Sequence, residues 1–274
     1  MAEQVNRFAL RRTLGLAAFT GVSLAVLGAD RVLHVALHRT QVYSGFALLL
    51  VCVGLISFNA RKKLPFLPLA RASTWLQVHI YAGLTASVLF FVHLDGHVPA
   101  GALNVTLECL FAAVTASGIF GLYLSRTLPE RLTYHGENVV FERIPALRQR
   151  LAAEMAGLAE KSVEESSSSA IADFYRTKLQ AYFGGPRNLL AHTFRSTRPR
   201  ARLLAQADAM RRYLDAAEER ILGEVIELVK LKDNLDAQLA LQGVLKGWLF
   251  VHIPLSYALL VFAVAHGLIA LAML

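Results

Sequence analysis

Residues 246–274, KGWLFVHIPLSYALLVFAVAHGLIALAML, form an apolar run broken by two histidines, His252 and His266. An earlier run, TWLQVHIYAGLTASVLFFVHL at 74–94, carries His79 and His93. Both separations are fourteen residues (93 − 79 and 266 − 252). In an α-helix that is close to four turns, which puts the two side chains about 40° apart in azimuth and roughly 21 Å apart along the axis. Each helix therefore presents an upper and a lower imidazole on one face. Laid side by side and running the same way, the helices meet as two pairs at two depths, His79 with His252 and His93 with His266.

Neutral imidazole is a good ligand for haem iron, and two axial histidines close both faces, which suits the iron to one-electron transfer. A lone histidine in lipid most simply hydrogen-bonds to a neighbouring helix. Four in two pairs of matched spacing are harder to explain that way, because each is costly to bury. His79 falls about five residues into its run and His252 about six into its own, so the pairs share their depths. The expectation is two b haems, with His79, His93, His252 and His266 as the axial ligands.

Hydrophobic residues make up 55% of the 274, and the mean hydropathy of +0.46 places the chain among membrane proteins rather than soluble domains of this length. Five runs are long enough to cross a bilayer, which takes about 20 helical residues. They lie near Leu14 to Leu37, Tyr43 to Asn59, Thr74 to Leu94, Ala102 to Ser125 and Lys246 to Leu274. The fold expected is all-α, with five transmembrane helices, a four-helix haem-binding bundle and a helical cytoplasmic insertion. Residues 1–125 hold the first four helices, 126–243 the insertion and 244–274 the fifth helix. Cys52 and Cys109 lie inside spans with no Cys-x-x-Cys-His motif, and read as packing residues.

The net charge of +8 is explained by loop topology without a nucleic-acid partner. Arg7, Arg11 and Arg12 precede the first span and Arg61, Lys62, Lys63 and Arg71 fill the second loop, whereas the loop from Asp95 to Gly101 has no Lys or Arg. Positive-inside bias puts the N-terminus inside and the C-terminus outside. Residues 1–29 imitate a signal peptide, but Leu27 spoils the cleavage pattern, so an uncleaved anchor is expected. His34 and His38, one turn apart at the outer end of the first span, fit interfacial polar residues, a quinone site or a further cofactor. His97, one turn past His93 beside Asp95 and Gly96, reads as an outer-loop residue.

The two fourteen-residue spacings on transmembrane helices resemble the di-haem cytochromes b, in which four histidines on two helices of a four-helix bundle hold two b haems. The likeness covers about half of the chain, Tyr43 to Arg126 and Lys246 to Leu274. The stretch from Trp75 through His79, Gly83 and His93 to Gly118, Gly121, Arg126 and Pro129 is also similar to bacterial membrane cytochromes b that are sometimes associated with multihaem c-type cytochromes. That resemblance implies a bacterial inner membrane and, at the outer face, a c-type cytochrome or another redox subunit as partner. Gly83 follows His79 by one turn on the haem-bearing face and would let a macrocycle approach the backbone. Arg71, Arg126 and Lys246 are available to haem propionates on the inner side, where topology and snorkelling also place them. Gly45, Gly54, Gly118 and Gly121 offer flat surface that porphyrin edges and ordinary helix packing both use. Pro254, two residues past His252, is placed to bend the last helix.

From Arg126 to Gly243 the chain changes character, with 18 Lys and Arg against 16 Asp and Glu and little continuous hydrophobicity, as in a water-exposed domain. Helical periodicity covers 144–163, a shorter helix Ile171 to Phe183 ends at Gly184, Gly185 and Pro186, and a long helix from Arg202 runs on towards the last span. Its stripe, Met210, Leu214, Ala217, Ile221, Val225, Leu228, Leu235 and Leu239, fits packing within the subunit, docking of a redox partner, or association of two subunits. His135 and His192 stand alone in loops, and Arg195, Arg198, Arg200 and Arg202 read as contacts to anionic headgroups. The function expected is a di-haem cytochrome b subunit carrying electrons between a quinone pool or cytoplasmic donor and the outer partner, as part of an oxidoreductase complex, with a quinone as the further ligand. A histidine-lined transition-metal transporter, or a structural or sensory membrane protein, are the alternatives.

Overall fold

The computed structural model describes residues 2–36, 40–60, 72–98, 100–134, 139–165 and 169–273, and among them every regular element is helical. Ten α-helices follow in order: α1 Ala2–Ala36, α2 Thr40–Ala60, α3 Ala72–Leu94, α4 Ala102–Tyr134, α5 Ile144–Glu165, α6 Ala170–Phe174, α7 Gln180–Phe183, α8 Leu189–Thr193, α9 Arg198–Met210 and α10 Ala216–Ala272. Five of them, α1 to α4 and α10, are long and apolar enough to cross a membrane. The chain is a multi-pass membrane protein on that ground.

Two compact units are present, Met1–Tyr123 with Trp248–Leu274, and Leu124–Gly247. In the first, the membrane unit, one apolar cluster joins α2, α3, α4 and the last part of α10. Ala86, Phe111 and Leu259 are buried at its centre, with Leu48, Val51, Leu55, Phe90 and Val114 around them. Phe90 and Phe111 stack with centroids 4.1 Å apart. Helix α1 packs chiefly against α3. The close approach is set by Gly15, where a Cβ would drive into the Tyr81 ring. Helix α3 stops because Asp95 and Gly96 take left-handed backbone angles, φ 47° and 72°.

In the second unit, Met155 and Ala159 of α5 pack with Ile171, Phe174, Leu179 and Phe183 against Ile221, Leu222, Val225, Leu228 and Val229 of α10. The long stripe is therefore buried within the subunit. Helix α10 does run unbroken into the last span, through Gly243, Gly247 and Pro254, but it begins at Ala216 rather than near Arg202. The break follows α9 at Leu214, whose backbone is extended, and Asp215 starts the new helix. Asp215 Oδ1 accepts from the backbone N–H groups of Ala217 and Glu218 at 2.9 and 2.8 Å, and Glu218 Oε2 accepts in return from the Asp215 N–H at 3.1 Å. This is a capping box, which satisfies helix-end donors from both directions. Asp215→Ala should destabilise the unit by about 1 kcal/mol in chemical denaturation. An unchanged midpoint would mean that the cap is not stabilising α10.

A polar seam runs beside this core. Lys232 and Asp236 are both fully buried, and they are paired one turn apart on α10. Arg148 Nε of α5 lies 3.1 Å from Asp236 Oδ1, and the Arg187 backbone N–H donates to Asp236 Oδ2 at 3.0 Å. Lys232 Nζ sits 4.0 Å from the centroid of the Tyr182 ring. Burial pushes the Lys232 pKa down, and the hydrogen bond and charge of Asp236 pull it back up. The Tyr182 hydroxyl donates to Asp233 Oδ1 at 3.3 Å, and its pKa is driven up by burial and by the two aspartates.

Candidate cofactor site between two histidine helices

The membrane unit brings the four histidines together in the order the spacing requires. His93 and His266 have ring centroids 6.2 Å apart, with their planes crossed at 87°. His79 lies within electrostatic reach of His252. With 93 beside 266 and 79 towards 252, α3 and the last part of α10 run in the same direction. A metal held between two imidazoles at about 2 Å per metal–nitrogen bond leaves the ring centroids roughly 6 Å apart. The His93–His266 gap has that width.

Hydrogen bonds fix which ring nitrogens are free. His93 Nδ1–H donates to the Gln41 carbonyl at 3.0 Å and lies 3.3 Å from Ser44 Oγ. That tautomer leaves Nε2 with its lone pair exposed. His252 Nδ1 hydrogen-bonds Ser117 Oγ at 3.1 Å, and Trp248 Nε1–H donates to the Ser117 carbonyl at 2.9 Å. Trp248 also stacks on His252, with centroids 5.2 Å apart. Anchoring one imidazole nitrogen while the other stays open is how ligating histidines are oriented. The Phe58 ring centroid lies 5.0 Å from that of His79, whose Nδ1 is buried without a hydrogen-bond partner.

A cavity of about 410 Å³ opens beside the His93–His266 pair, lined on its apolar side by Leu48, Phe90, Phe111 and Leu259. That volume is within the range of sites that enclose a cofactor or drug-sized molecule. Gly45 borders it, and a Cβ there would come within 2.8 Å of His93 Cε1, so glycine is needed for the imidazole to stand where it does. At Gly118 a Cβ would stop 3.8 Å from His252 Cε1, while at Gly121 it would collide with the Trp248 indole. Gly121 therefore serves packing. A Cβ at Gly83 would meet nothing within 4 Å, leaving the α3 face open one turn past His79.

Other expected residues are placed differently. Arg126 is exposed and belongs to the second unit. Lys246 donates to Glu142 Oε1 at 2.6 Å and lies over the Phe141 ring, so it already has an anionic partner. His97 is exposed in the turn after α3 and edges the cavity. The His34 side chain, His38, Arg71 and His135 lie outside what is described. His192 is in α8 and does not stand alone: its Nε2 is 3.4 Å from Asp233 Oδ1.

Sequence reasoning passed over Glu108 and Asn104, which line the polar side of the same cavity. The signal was available, because Glu108 is the one acidic residue in the run from Ala102 to Ser125, and an ionisable group within a membrane span is a functional candidate by default. Ser44 and Ser117 gave no such signal, since a serine in a membrane helix ordinarily bonds its own backbone. Among the described residues no three or more His, Cys, Asp or Glu side chains converge as a chelating set. No family model, curated protein or solved structure matches the chain.

Proposed function

We propose that the membrane unit holds two b-type haems and carries electrons between the two faces of the bilayer. His93 with His266 would hold one haem and His79 with His252 the other. The observation carrying this reading is the His93–His266 pair, with its crossed rings 6.2 Å apart and its Nδ1 of His93 tied to the Gln41 carbonyl. A haem held by two imidazoles would supply one-electron transfer rather than oxygen binding. The chain's part is to orient the ligands, exclude water and set the local field. Gln41 and Ser44 hold His93, and Ser117 and Trp248 hold His252, while Phe90, Phe111 and Leu259 keep the cavity apolar.

Two haems stacked at the depths of the histidine pairs would divide the crossing into short steps. A quinone pool or a cytoplasmic donor on one side, and a c-type cytochrome or other redox subunit on the other, are the partners this arrangement suits.

Imidazole planes crossed near 90° leave the two iron d orbitals of π symmetry almost equal in energy. The haem that His93 and His266 would hold should therefore give a strongly anisotropic low-spin ferric signal in electron paramagnetic resonance, and His266→Ala should abolish that component while leaving the signal of the other haem. A high-spin signal in the unmodified protein would count against bis-histidine ligation.

A further inference from the structure

Beside α8 and the start of α9, the second unit holds a cavity of about 330 Å³ lined by Arg131, His192, Arg195, Ser196, Arg200 and Asp233. Glu130 lies in the same wall, so three guanidiniums face two carboxylates. Asp233 is already engaged, accepting from the Tyr182 hydroxyl and lying 3.6 Å from Arg200 and 3.4 Å from His192. Arg131 is engaged too, donating to the His192 and Thr193 carbonyls at 2.6 and 2.9 Å. Arg195 is exposed and forms no ion pair among the described residues. Its backbone is held at φ 60°, a conformation that costs a non-glycine residue free energy. The His192 side chain is only 8% exposed, and its Nε2 faces Asp233 Oδ1. With Arg131 and Asp233 engaged, Arg195 and the Ser196 hydroxyl are what the cavity offers an oxygen-bearing anion.

The residues next in sequence to the cavity lining point to the source of that anion. Leu190 and Phe194, four residues apart, are 75% and 79% exposed, with the exposed Arg187 and Arg198 near them in sequence. Large exposed apolar side chains set among arginines are the composition of a surface lying in the headgroup layer.

We propose that this cavity binds the phosphate of an anionic phospholipid in the adjoining leaflet. Arg195 and Arg200 would contact the phosphate, with the Ser196 hydroxyl as a further donor, while Leu190 and Phe194 enter the acyl layer. The second unit would then be fastened to the bilayer by a specific lipid as well as by α4 and α10.

The test uses the full chain in uncharged detergent, titrated separately with phosphatidylglycerol, phosphatidylcholine and inorganic phosphate, with bound lipid counted by native mass spectrometry. Phosphatidylglycerol should bind more tightly than phosphatidylcholine. Arg195→Gln should weaken it about fivefold, as expected for one arginine at a membrane surface. Leu190→Ser with Phe194→Ser should weaken phosphatidylglycerol and leave inorganic phosphate unchanged. Equal retention of both lipids, or phosphatidylglycerol binding unaltered in Arg195→Gln, overturns the proposal. Inorganic phosphate binding as tightly as phosphatidylglycerol would also overturn it, in favour of a soluble phosphate ligand.

Discussion

His93→Ala and His266→Ala should each remove the same haem, halving the haem-to-protein ratio, and His79→Ala and His252→Ala should each remove the other. A b haem has no covalent tether, so its hold on the protein is two iron–nitrogen bonds plus apolar contact, and losing one imidazole takes away much of it. Because His93 sits opposite His266 and His79 lies by His252, loss should follow the pair and not the helix. His79→Ala combined with His93→Ala should then remove both haems, although both changes fall on α3. His97→Ala should leave both low-spin signals in place, since that side chain is exposed in the turn after α3. Visible spectra of the purified variants decide the matter. If His79→Ala and His266→Ala alter one common component while His93→Ala and His252→Ala alter the other, the pairing is refuted.

Asp236→Ala should destabilise the second unit by about 3–5 kcal/mol, because it leaves Lys232 and Arg148 in the interior without their shared counter-charge. The Arg187 backbone N–H loses its acceptor in the same change. Adding Lys232→Met should recover part of the loss, since it removes one of the uncompensated charges. Thermal unfolding followed by circular dichroism, or resistance of residues 124–247 to protease, reads the effect. An unchanged transition in Asp236→Ala would mean that water reaches the pair and that the seam is not part of the core.

Local periodicity explains why the helices were readable from the sequence, and its limits explain what was missed. The fourteen-residue repeat carries its own geometry, so the register of α3 on α10 could be stated before any coordinates. The stripe from Ile221 to Leu235 likewise implied a buried face. Its interruption was equally visible: Lys232 falls four residues after Leu228 and three before Leu235, on the stripe itself. Asp236, one turn further on, was readable too, but Arg148 and Tyr182 reach the pair only through packing of α5 and α7 on α10. The start of α10 was misplaced at Arg202 although Asp215 and Glu218 spell a capping box, since apolar periodicity continues across the break and outweighed the shorter signal. His192 read as solitary for the same reason as Lys232, its neighbour Asp233 being 41 residues further along the chain (233 − 192).

The central claim is tested most directly by the haem content of the purified full-length protein, measured together with its reduced-minus-oxidised visible spectrum after expression with ample haem. The account predicts a b-type band and two haems per chain. A chain that folds into the membrane with no b-type band, or that binds metal ions in place of haem, would contradict it.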